Sequence, residues 1–246
     1  MIRLSERLDK IAGFIEQGER VADIGTDHGY IPMYLKMNGI SDYVIAGDIN
    51  EGPLEKMQEN MDRLIPDDSD REGIFMRLGG GLDVVENGEV DTVVIAGMGG
   101  LLIADILGND REKSCSIKKF ILQPRNAQDK LRKWLLDNGY RITGEVLARE
   151  SRFVWEIICV ESPDNEAVSC AEQEYFGDNL IQYEVGQCLI NGRDPLLEEF
   201  INNKIRIEKR IVENAGKSDS AEARQQQSEA ADRIKMLEGI LEHVNK

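Results

Sequence analysis

The chain has 246 residues, 41% of them hydrophobic, and its 30 Lys and Arg against 46 Asp and Glu give a formal net charge of -16. This apolar content suffices for a core of normal size and excludes a wholly disordered chain, while the acidic balance excludes a uniformly basic nucleic-acid binder. The most apolar window, residues 93–104, is twelve residues long and holds three glycines, so no membrane-spanning helix is expected.

The first predicted element is an amphipathic helix near the N-terminus. Leu4, Leu8, Ile11 and Ile15 recur at helical spacing between charged residues. This segment lacks the continuous apolar stretch of a signal peptide. We therefore expect a soluble, cytoplasmic protein that opens with a helix.

Residues 21–160 alternate short β-branched runs with helical stretches, which predicts an α/β fold with an open, mostly parallel sheet. The predicted strands are mostly apolar throughout, as parallel strands buried on both faces should be. They are Val21–Gly25, Tyr43–Asp48, Ile74–Leu78, Thr92–Ala96 and Phe120–Leu122, with Arg141–Leu147 and Phe153–Val160 as a closing pair. The predicted helices between them are Ile31–Met37, Pro53–Leu64 and Ala127–Asn138. A ligand of such a sheet binds at the carboxyl ends of the strands.

The pattern changes after Glu161, so we predict two domains, residues 1–161 and residues 162–246. Asp194-Pro195 predicts an N-cap followed by proline in the first turn of a helix, and a loop is expected at Asn214–Ser220. Two sets of apolar residues at three- and four-residue steps predict a coiled-coil-like helical hairpin. They are Leu197, Ile201, Ile205 and Val212 in the first helix and Ala223, Ala230, Ile234, Leu237, Leu241 and Val244 in the second.

The cysteines and histidines do not form a metal-binding pattern. No CxxC pair occurs, and His28 and His243 are the only histidines. We therefore expect reduced thiols and no metal at the four cysteines, which are Cys115, Cys159, Cys170 and Cys188.

The first candidate site is the turn after the first strand, Asp23-Ile-Gly25-Thr26-Asp27-His28-Gly29-Tyr30. Its glycines are spaced G-x-x-x-G, unlike the G-x-G-x-x-G of a dinucleotide site. A diphosphate would meet Asp23 and Asp27 as like charges, so the turn better suits a ligand without phosphates and with some positive charge. S-adenosylmethionine, a sulfonium with an amino-acid tail, fits this description. The alternative is a tight turn with ordinary capping acids.

Three further motifs stand at predicted strand ends and would lie beside the first. Asp48, 23 residues after Gly25, has the spacing of a carboxylate that accepts ribose hydroxyls, or it caps the next helix. Gly79-Gly80-Gly81-Leu82 lets the backbone approach an adenine ring, or is simply a flexible turn. Gly97-Met98-Gly99-Gly100 lies where a methyl donor and its target would meet, or allows close helix–strand packing.

Basic residues are concentrated in two segments despite the negative total. Residues 111–152 hold eleven Lys and Arg against five Asp and Glu, a local +6, and residues 204–210 (KIRIEKR) carry a local +3. These segments predict phosphate-binding surfaces, or they are two solvated faces.

Taken in order and spacing, the motifs closely resemble those of the bacterial tRNA adenine-22 N1-methyltransferase family. The resemblance covers essentially the whole chain and lies in ADIGTDHGYIP (22–32), AGDINEGP (46–53), AGMGG (96–100), LQP (122–124) and WEIICVE (155–161). It implies a class I, Rossmann-like methyltransferase core and a C-terminal coiled-coil domain. It also implies methyl transfer from S-adenosylmethionine to N1 of adenine 22 in tRNA. No membrane association is expected, and no protein partner is implied.

The resemblance assigns roles to matching positions. Asp27 would be the carboxylate at the reaction centre. From their charge, and not from a family match, Arg125 and the basic helix are expected to bind the substrate. The residues expected to border the cofactor are Asp23, Gly25, Thr26, His28, Tyr30, Asp48, Ile49, Gly79, Gly81, Leu82, Gly97 and Met98. The tRNA-binding residues of the helix would be Lys204, Arg206, Lys209 and Arg210, and Tyr30 or Trp155 would be available for stacking.

The chain departs from the family pattern at five positions. Thr26, Gly29, Gly80, Arg125 and Trp155 stand where the family tends to have Ser, Ala, Asp, Asn and Tyr. Gly80 removes a carboxylate near the expected adenine end, so the backbone or another side chain must bind the cofactor's amino group. Arg125 replaces a polar group on the substrate side by a cation that is able to bind phosphate.

Two other functions are compatible with these motifs. A methyltransferase acting on a small molecule would keep the cofactor motifs but would not need a basic tail. A non-catalytic protein that recruits a partner through its coiled coil is disfavoured by the presence of Asp27 and Asp48.

Overall fold

The computed structural model of the chain describes residues 2–163, 183–218 and 220–244. The chain forms two compact units, Met1–Cys170 and Ala171–Lys246. The exact boundary expected after Glu161 stays a prediction.

The first unit is built on a sheet in the order β3-β2-β1-β4-β5-β7-β6, which confirms the predicted α/β fold. Strands β1 to β5 are parallel, and β7 is antiparallel to both β5 and β6. Its strands are β1 (Val21–Ile24), β2 (Val44–Asp48), β3 (Ile74–Leu78), β4 (Thr92–Met98), β5 (Lys119–Pro124), β6 (Arg141–Glu150) and β7 (Phe153–Glu161). The carboxyl ends of the five parallel strands therefore meet at one edge of the sheet.

Helices cover the sheet between successive strands. They are α1 (Glu6–Ala12), α2 (Tyr30–Met37), α3 (Glu51–Leu64), α4 (Asp68–Arg71), α5 (Gly100–Asn109), α6 (Arg111–Ser116) and α7 (Gln128–Asp137), and Gly81–Val84 forms a 3-10 turn. Ser5 caps α1, its hydroxyl accepting a hydrogen bond from the Leu8 N–H. Buried Ile11 and Ile15 then pack α1 and the turn after it on the sheet beside Val94, Ile121 and Ile157.

Two features of β4 and α5 differ from the sequence-based expectation. Strand β4 does not end at Ala96, because its pairing with β5 continues through an irregularity at Gly97 to Met98. Helix α5 was not predicted at all. It begins at Gly100, directly after the glycine-rich end of β4, so no polar boundary separates strand from helix in the sequence.

A buried ion cluster joins α7 to the closing strands. Arg132 is fully buried, and its Nε donates to Glu145 Oε1 at 2.8 Å while its Nη2 donates to Glu156 Oε1 at 2.5 Å. Both carboxylates are also shielded from solvent. The guanidinium group therefore compensates two buried negative charges at once.

The second unit is helical, as predicted, with α8 (Gln187–Gly192), α9 (Leu197–Ala215) and α10 (Ala221–Val244). Ile201, Ala230 and Leu237 are buried, in agreement with the predicted apolar stripes. The predicted N-cap at Asp194 is wrong. Its Oδ1 accepts from the Leu196 N–H at 2.8 Å within a turn, and α9 begins only at Leu197.

The thiols are not all alike. Cys115 and Cys159 are free. Cys188 is disulfide-bonded, so the expectation of reduced cysteines is wrong there. Cys170 lies outside the described residues.

Neither membrane helices nor clustered metal ligands occur in the described parts of the chain. None of the helices there combines the length and apolarity needed to cross a bilayer. Within the same ranges, no group of three or more His, Cys, Asp and Glu side chains is placed to hold a metal ion.

Candidate active site

Two clefts lie at the carboxyl ends of the parallel strands. The first, of about 580 Å³, is bordered by eleven residues singled out in the sequence: Asp23, Gly25, Thr26, Asp27, His28, Gly29, Tyr30, Asp48, Gly97, Met98 and Arg125. The second, of about 340 Å³, is bordered by five more: Ile49, Gly79, Gly80, Gly81 and Leu82. Both clefts share Gly25, Asp48 and Met98, so they form neighbouring parts of one site. The fold thus brings together all the site residues predicted in the first unit.

The turn after β1 depends on glycine at position 25. Gly25 has φ +75°, and a Cβ atom there would lie 2.3 Å from Met98 Cε. Its N–H donates to the Gly47 carbonyl at 2.8 Å, which holds the end of β1 against β2. Glycine adopts a positive φ readily, so the turn favours glycine at this position, and the backbone of Gly25 then borders both clefts.

A buried carboxyl group and a buried hydroxyl lie on the floor of the first cleft. Asp23 is 6% exposed, and burial raises its pKa to about 6, an effect that the nearby Thr26 side chain and Arg7 oppose. The Thr26 side chain is itself buried beside Asp23. The two groups give the cleft a polar floor that suits a charged ligand group.

Asp27 and His28 stand at the mouth of the same cleft. The Asp27 side chain is 74% exposed, and its Oδ2 lies 3.4 Å from His28 Nε2. The His28 ring lies 5.7 Å from the Tyr30 ring. Asp27 therefore presents a carboxylate to whatever enters the cleft, with two polar rings beside it.

The second cleft has the chemistry of a nucleoside site. Its apolar surface includes Ile49 and Leu102, which are 71% and 52% exposed, and the backbone of the Gly79–Gly81 segment forms another side. Asp48 Oδ1 accepts from the Asn50 N–H at 2.8 Å, and within the described residues Oδ2 has no partner. Asp83 adds a second carboxylate, with Oδ2 3.9 Å from the place of a Cβ at Gly80.

Several residues of the site were not identified from the sequence. Arg7 Nε donates to Glu150 Oε2 at 2.8 Å and its Nη1 to Gln123 Oε1 at 3.3 Å, which joins α1 to β6 and β5. Gln123 Oε1 also accepts from the Gly97 N–H at 3.2 Å. The other cleft residues that the sequence did not reveal are Arg3, Ser5, Leu8, Ile31, Pro53 and Ala96 in the first cleft and Asp83, Leu102, Ile106, Asn109 and Asp110 in the second.

The basic residues of α9 differ in their freedom to bind a ligand. Lys204 is only 17% exposed and pairs with Glu184 at 3.0 Å. Arg206, Lys209 and Arg210 are exposed, although Lys209 lies 3.7 Å from Glu238. The exposed three are therefore better placed for phosphates than Lys204.

Comparison with known proteins identifies methyltransferases as relatives of the chain. Residues 4–158 match the family model described as a methyltransferase domain. The chain is 31% identical over 244 residues to the tRNA (adenine(22)-N(1))-methyltransferase of Bacillus subtilis, with 98% of each sequence covered.

Solved structures of methyltransferases resemble the whole chain. The crystal structure of the B. subtilis m1A22 tRNA methyltransferase superposes with a TM-score of 0.82 at 29% identity, covering 98% of this chain and 99% of that one. A Streptococcus pneumoniae protein solved in complex with S-adenosyl-L-methionine has a TM-score of 0.78 at 28% identity, covering 97% of this chain and 100% of that one.

Proposed function

The chain belongs to the tRNA (adenine(22)-N(1))-methyltransferase family, and on that premise we propose that it transfers a methyl group from S-adenosylmethionine to N1 of adenine 22 in cytoplasmic tRNA. One observation carries this proposal. An acidic cleft and an apolar, glycine-lined cleft meet at Gly25, Asp48 and Met98, at the carboxyl ends of parallel strands. This is where an open α/β sheet binds a nucleoside with a charged tail.

The residues present fit this cofactor. Asp48 would accept the ribose hydroxyls, and Ile49, Leu82 and the Gly79–Gly81 backbone would surround the adenine. Asp83 provides the acceptor for the adenine amino group that Gly80 does not. Asp23 and Thr26 would face the ammonium group of the amino-acid tail.

The main task of the protein is to align two reactants and to stabilise a charge that moves between them. When bound, S-adenosylmethionine supplies an electrophilic methyl carbon, and the bond to sulfur breaks as adenine N1 forms its bond to that carbon. Adenine N1 carries no proton, so no general base is needed. Asp27 would accept a hydrogen bond from the exocyclic amine of the target, and this bond strengthens as the ring becomes cationic.

The substrate must expose the atom that reacts. N1 lies on the Watson–Crick edge of adenine, so a paired or stacked adenine has to leave the helix before it enters the cleft. The open position of Asp27 at the mouth is suited to an extruded base.

The direct test is to map the product. Unmodified tRNA transcript incubated with the protein and labelled S-adenosylmethionine should acquire one 1-methyladenosine, located at position 22 by nuclease digestion and mass spectrometry. A transcript with guanosine at position 22 is the control and should stay unlabelled. Label at another position, or release of S-adenosylhomocysteine that needs no tRNA, would contradict the proposal and favour a small-molecule substrate.

Cofactor affinity should depend on the ionisation of Asp23. The pKa of this group is about 6, so it is a carboxylate at pH 8 and neutral at pH 5. The Asp23 carboxylate would attract the ammonium group of the cofactor's amino-acid tail, and affinity for S-adenosylmethionine should therefore fall as the pH drops through about 6. Calorimetric titration from pH 5 to 8 should show this loss in the wild type and a flatter, weaker profile in Asp23→Asn.

Ionisation of Asp23 should lower the stability of the folded protein, whereas the same ionisation should raise its affinity for the cofactor. The pKa of Asp23 in the folded protein lies above the ordinary value of 3.8, so its contribution to stability is lost as the pH rises through about 6. Asp23→Asn should therefore raise the stability of the cofactor-free protein at pH 8 by about 1–3 kcal/mol, since a tenfold change in acidity corresponds to about 1.4 kcal/mol. Unchanged melting at pH 8 together with unchanged cofactor affinity would contradict both expectations.

The exposed cations of α9 should contribute to tRNA binding. The triple variant Arg206→Glu, Lys209→Glu, Arg210→Glu keeps the less exposed Lys204–Glu184 pair and loses only the exposed ion pair of Lys209 with Glu238. We expect weaker tRNA binding and a salt dependence flattened by about 0.7–0.9 in log–log slope for each phosphate that the protein no longer neutralises. Adding Lys204→Glu should weaken binding further but also lower the melting temperature. Unchanged affinity in the triple variant would identify this segment as a solvated face.

A further inference from the structure

The tip of the β6–β7 hairpin, residues 150–153, lies at the same edge of the sheet as the clefts. Strand β7 is antiparallel to β5, so its first residues lie beside the carboxyl end of β5. Phe153 pairs across the hairpin with Glu150, and Glu150 borders the first cleft. Directly opposed residues in such a pair have Cα atoms about 5 Å apart. Phe153 is therefore a close neighbour of the cleft, although it does not line it.

The hairpin tip carries an exposed aromatic ring supported on two sides. Phe153 is 47% exposed. Its ring centroid lies 5.3 Å from that of Trp155, and the Arg152 guanidinium lies 5.0 Å from it. These contacts hold the ring in place and leave part of it accessible to a planar ligand.

Hydrogen bonds fix the hairpin tip to the start of α1. Glu150 accepts from Ser5 Oγ at 2.6 Å and from Arg7 Nε at 2.8 Å. The Arg149 N–H donates to Glu6 Oε1 at 2.9 Å. The exposed ring is thus carried on an anchored hairpin, so little conformational freedom is lost when it binds a partner.

Exposed cations stand on the hairpin tip and around the neighbouring cleft. Arg3 and Arg125 are exposed and border the first cleft, and Arg152 is exposed on the hairpin tip itself. An exposed aromatic ring among cations is the pattern by which proteins hold unpaired nucleotides, whose bases stack and whose phosphates are attracted. A purely apolar protein partner would not need these arginines.

We infer that Phe153, supported by Trp155 and Arg152, is a stacking surface for a tRNA base that flanks the target adenine. The inference rests on the proposed function. Extrusion of the target leaves the face of a neighbouring base without its stacking partner. An aromatic ring beside the cleft would cover that face and so favour the opened tRNA.

The test compares two matched truncations of exposed phenylalanines. Phe153→Ala removes the proposed surface. Phe75→Ala is the control. Phe75 is 40% exposed and its ring lies 4.8 Å from a tyrosine ring, and it stands on β3, the outermost strand on the side of the sheet away from β6 and β7. We expect Phe153→Ala to weaken tRNA binding about 5- to 100-fold, the range measured for loss of one stacked base. The Phe75→Ala variant should bind tRNA as the wild type does, and both should keep wild-type affinity for S-adenosylhomocysteine.

Two further measurements decide between stacking and a general loss of structure. Phe153→Trp keeps a stacking ring and should restore most of the tRNA affinity. Two further tRNAs are each made abasic at one of the two nucleotides that flank position 22. The tRNA that lacks the stacked base should bind wild type and Phe153→Ala equally, since neither protein can then stack on it. Equal binding of intact tRNA by wild type and Phe153→Ala would overturn the inference, as would equal losses in the Phe153 and Phe75 variants.

The outcome is separable from that of the proposed function. The same wild-type preparation is assayed for methylation at position 22, which tests the activity and does not depend on Phe153. Methylation at position 22 combined with unaffected tRNA binding by Phe153→Ala would reject only the stacking surface. Absence of methylation would reject the function itself.

Discussion

Asp27→Ala should lower kcat for tRNA methylation by about 10²–10⁴, the effect of removing one group that acts in the transition state, while affinity for S-adenosylhomocysteine stays close to that of the wild type. The reason is that Asp27 would act on the charge that develops in the target base and hold little of the cofactor. Its side chain is 74% exposed at the mouth of the first cleft. Single-turnover kinetics, with calorimetric titration of the cofactor product, would measure both quantities.

A conservative variant separates charge from hydrogen bonding. Asp27→Asn keeps an acceptor oxygen but not the negative charge, so its rate should fall between those of wild type and Asp27→Ala. Substitution of a side chain this exposed should change the free energy of unfolding by no more than about 0.5 kcal/mol. Turnover of Asp27→Ala at the wild-type rate would remove Asp27 from the reaction centre.

Arg132→Ala should destabilise the first unit by about 3–5 kcal/mol, because it leaves two buried carboxylates without their counterion. Arg132 is fully buried and bonds to both Glu145 and Glu156. The loss would appear as a lower denaturation midpoint with an unchanged dependence on denaturant.

The neighbouring residue provides the control for Arg132. Lys133 forms a pair with Asp137 at 2.9 Å that is open to solvent, so Lys133→Ala should cost only about 0.5 kcal/mol. Replacing the whole cluster, with Arg132→Met, Glu145→Leu and Glu156→Leu together, should restore much of the stability, since no buried charge then remains. Similar midpoints for Arg132→Ala and Lys133→Ala would show that the cluster is less buried than its geometry indicates.

The sequence was informative wherever function depends on short segments. Strands β1 to β5 are mostly apolar, and glycine, acidic or turn-forming residues stand at or just after their ends, so both the strands and their ends could be predicted. The parallel fold then places these ends together, which is why residues such as Asp27, Asp48 and Met98 were found in one site.

The residues that were missed depend on contacts between distant segments. Arg7 and Glu150 are 143 residues apart, and neither stands in a motif that would mark it. Asp83 lies two residues beyond the glycine segment, where only the 3-10 turn brings its carboxylate to the second cleft. The N-cap assigned to Asp194 failed for a local reason, since a side chain that bonds two residues ahead stabilises a turn as readily as a helix start.

The junction at Gly25 has a consequence for inhibitor chemistry. Gly25, Asp48 and Met98 border both clefts. A compound that bridges the two clefts would contact the backbone of Gly25. A resistance mutation at position 25 would carry a cost of its own, because a side chain is strained at φ +75° and the turn would be weakened together with the inhibitor contact.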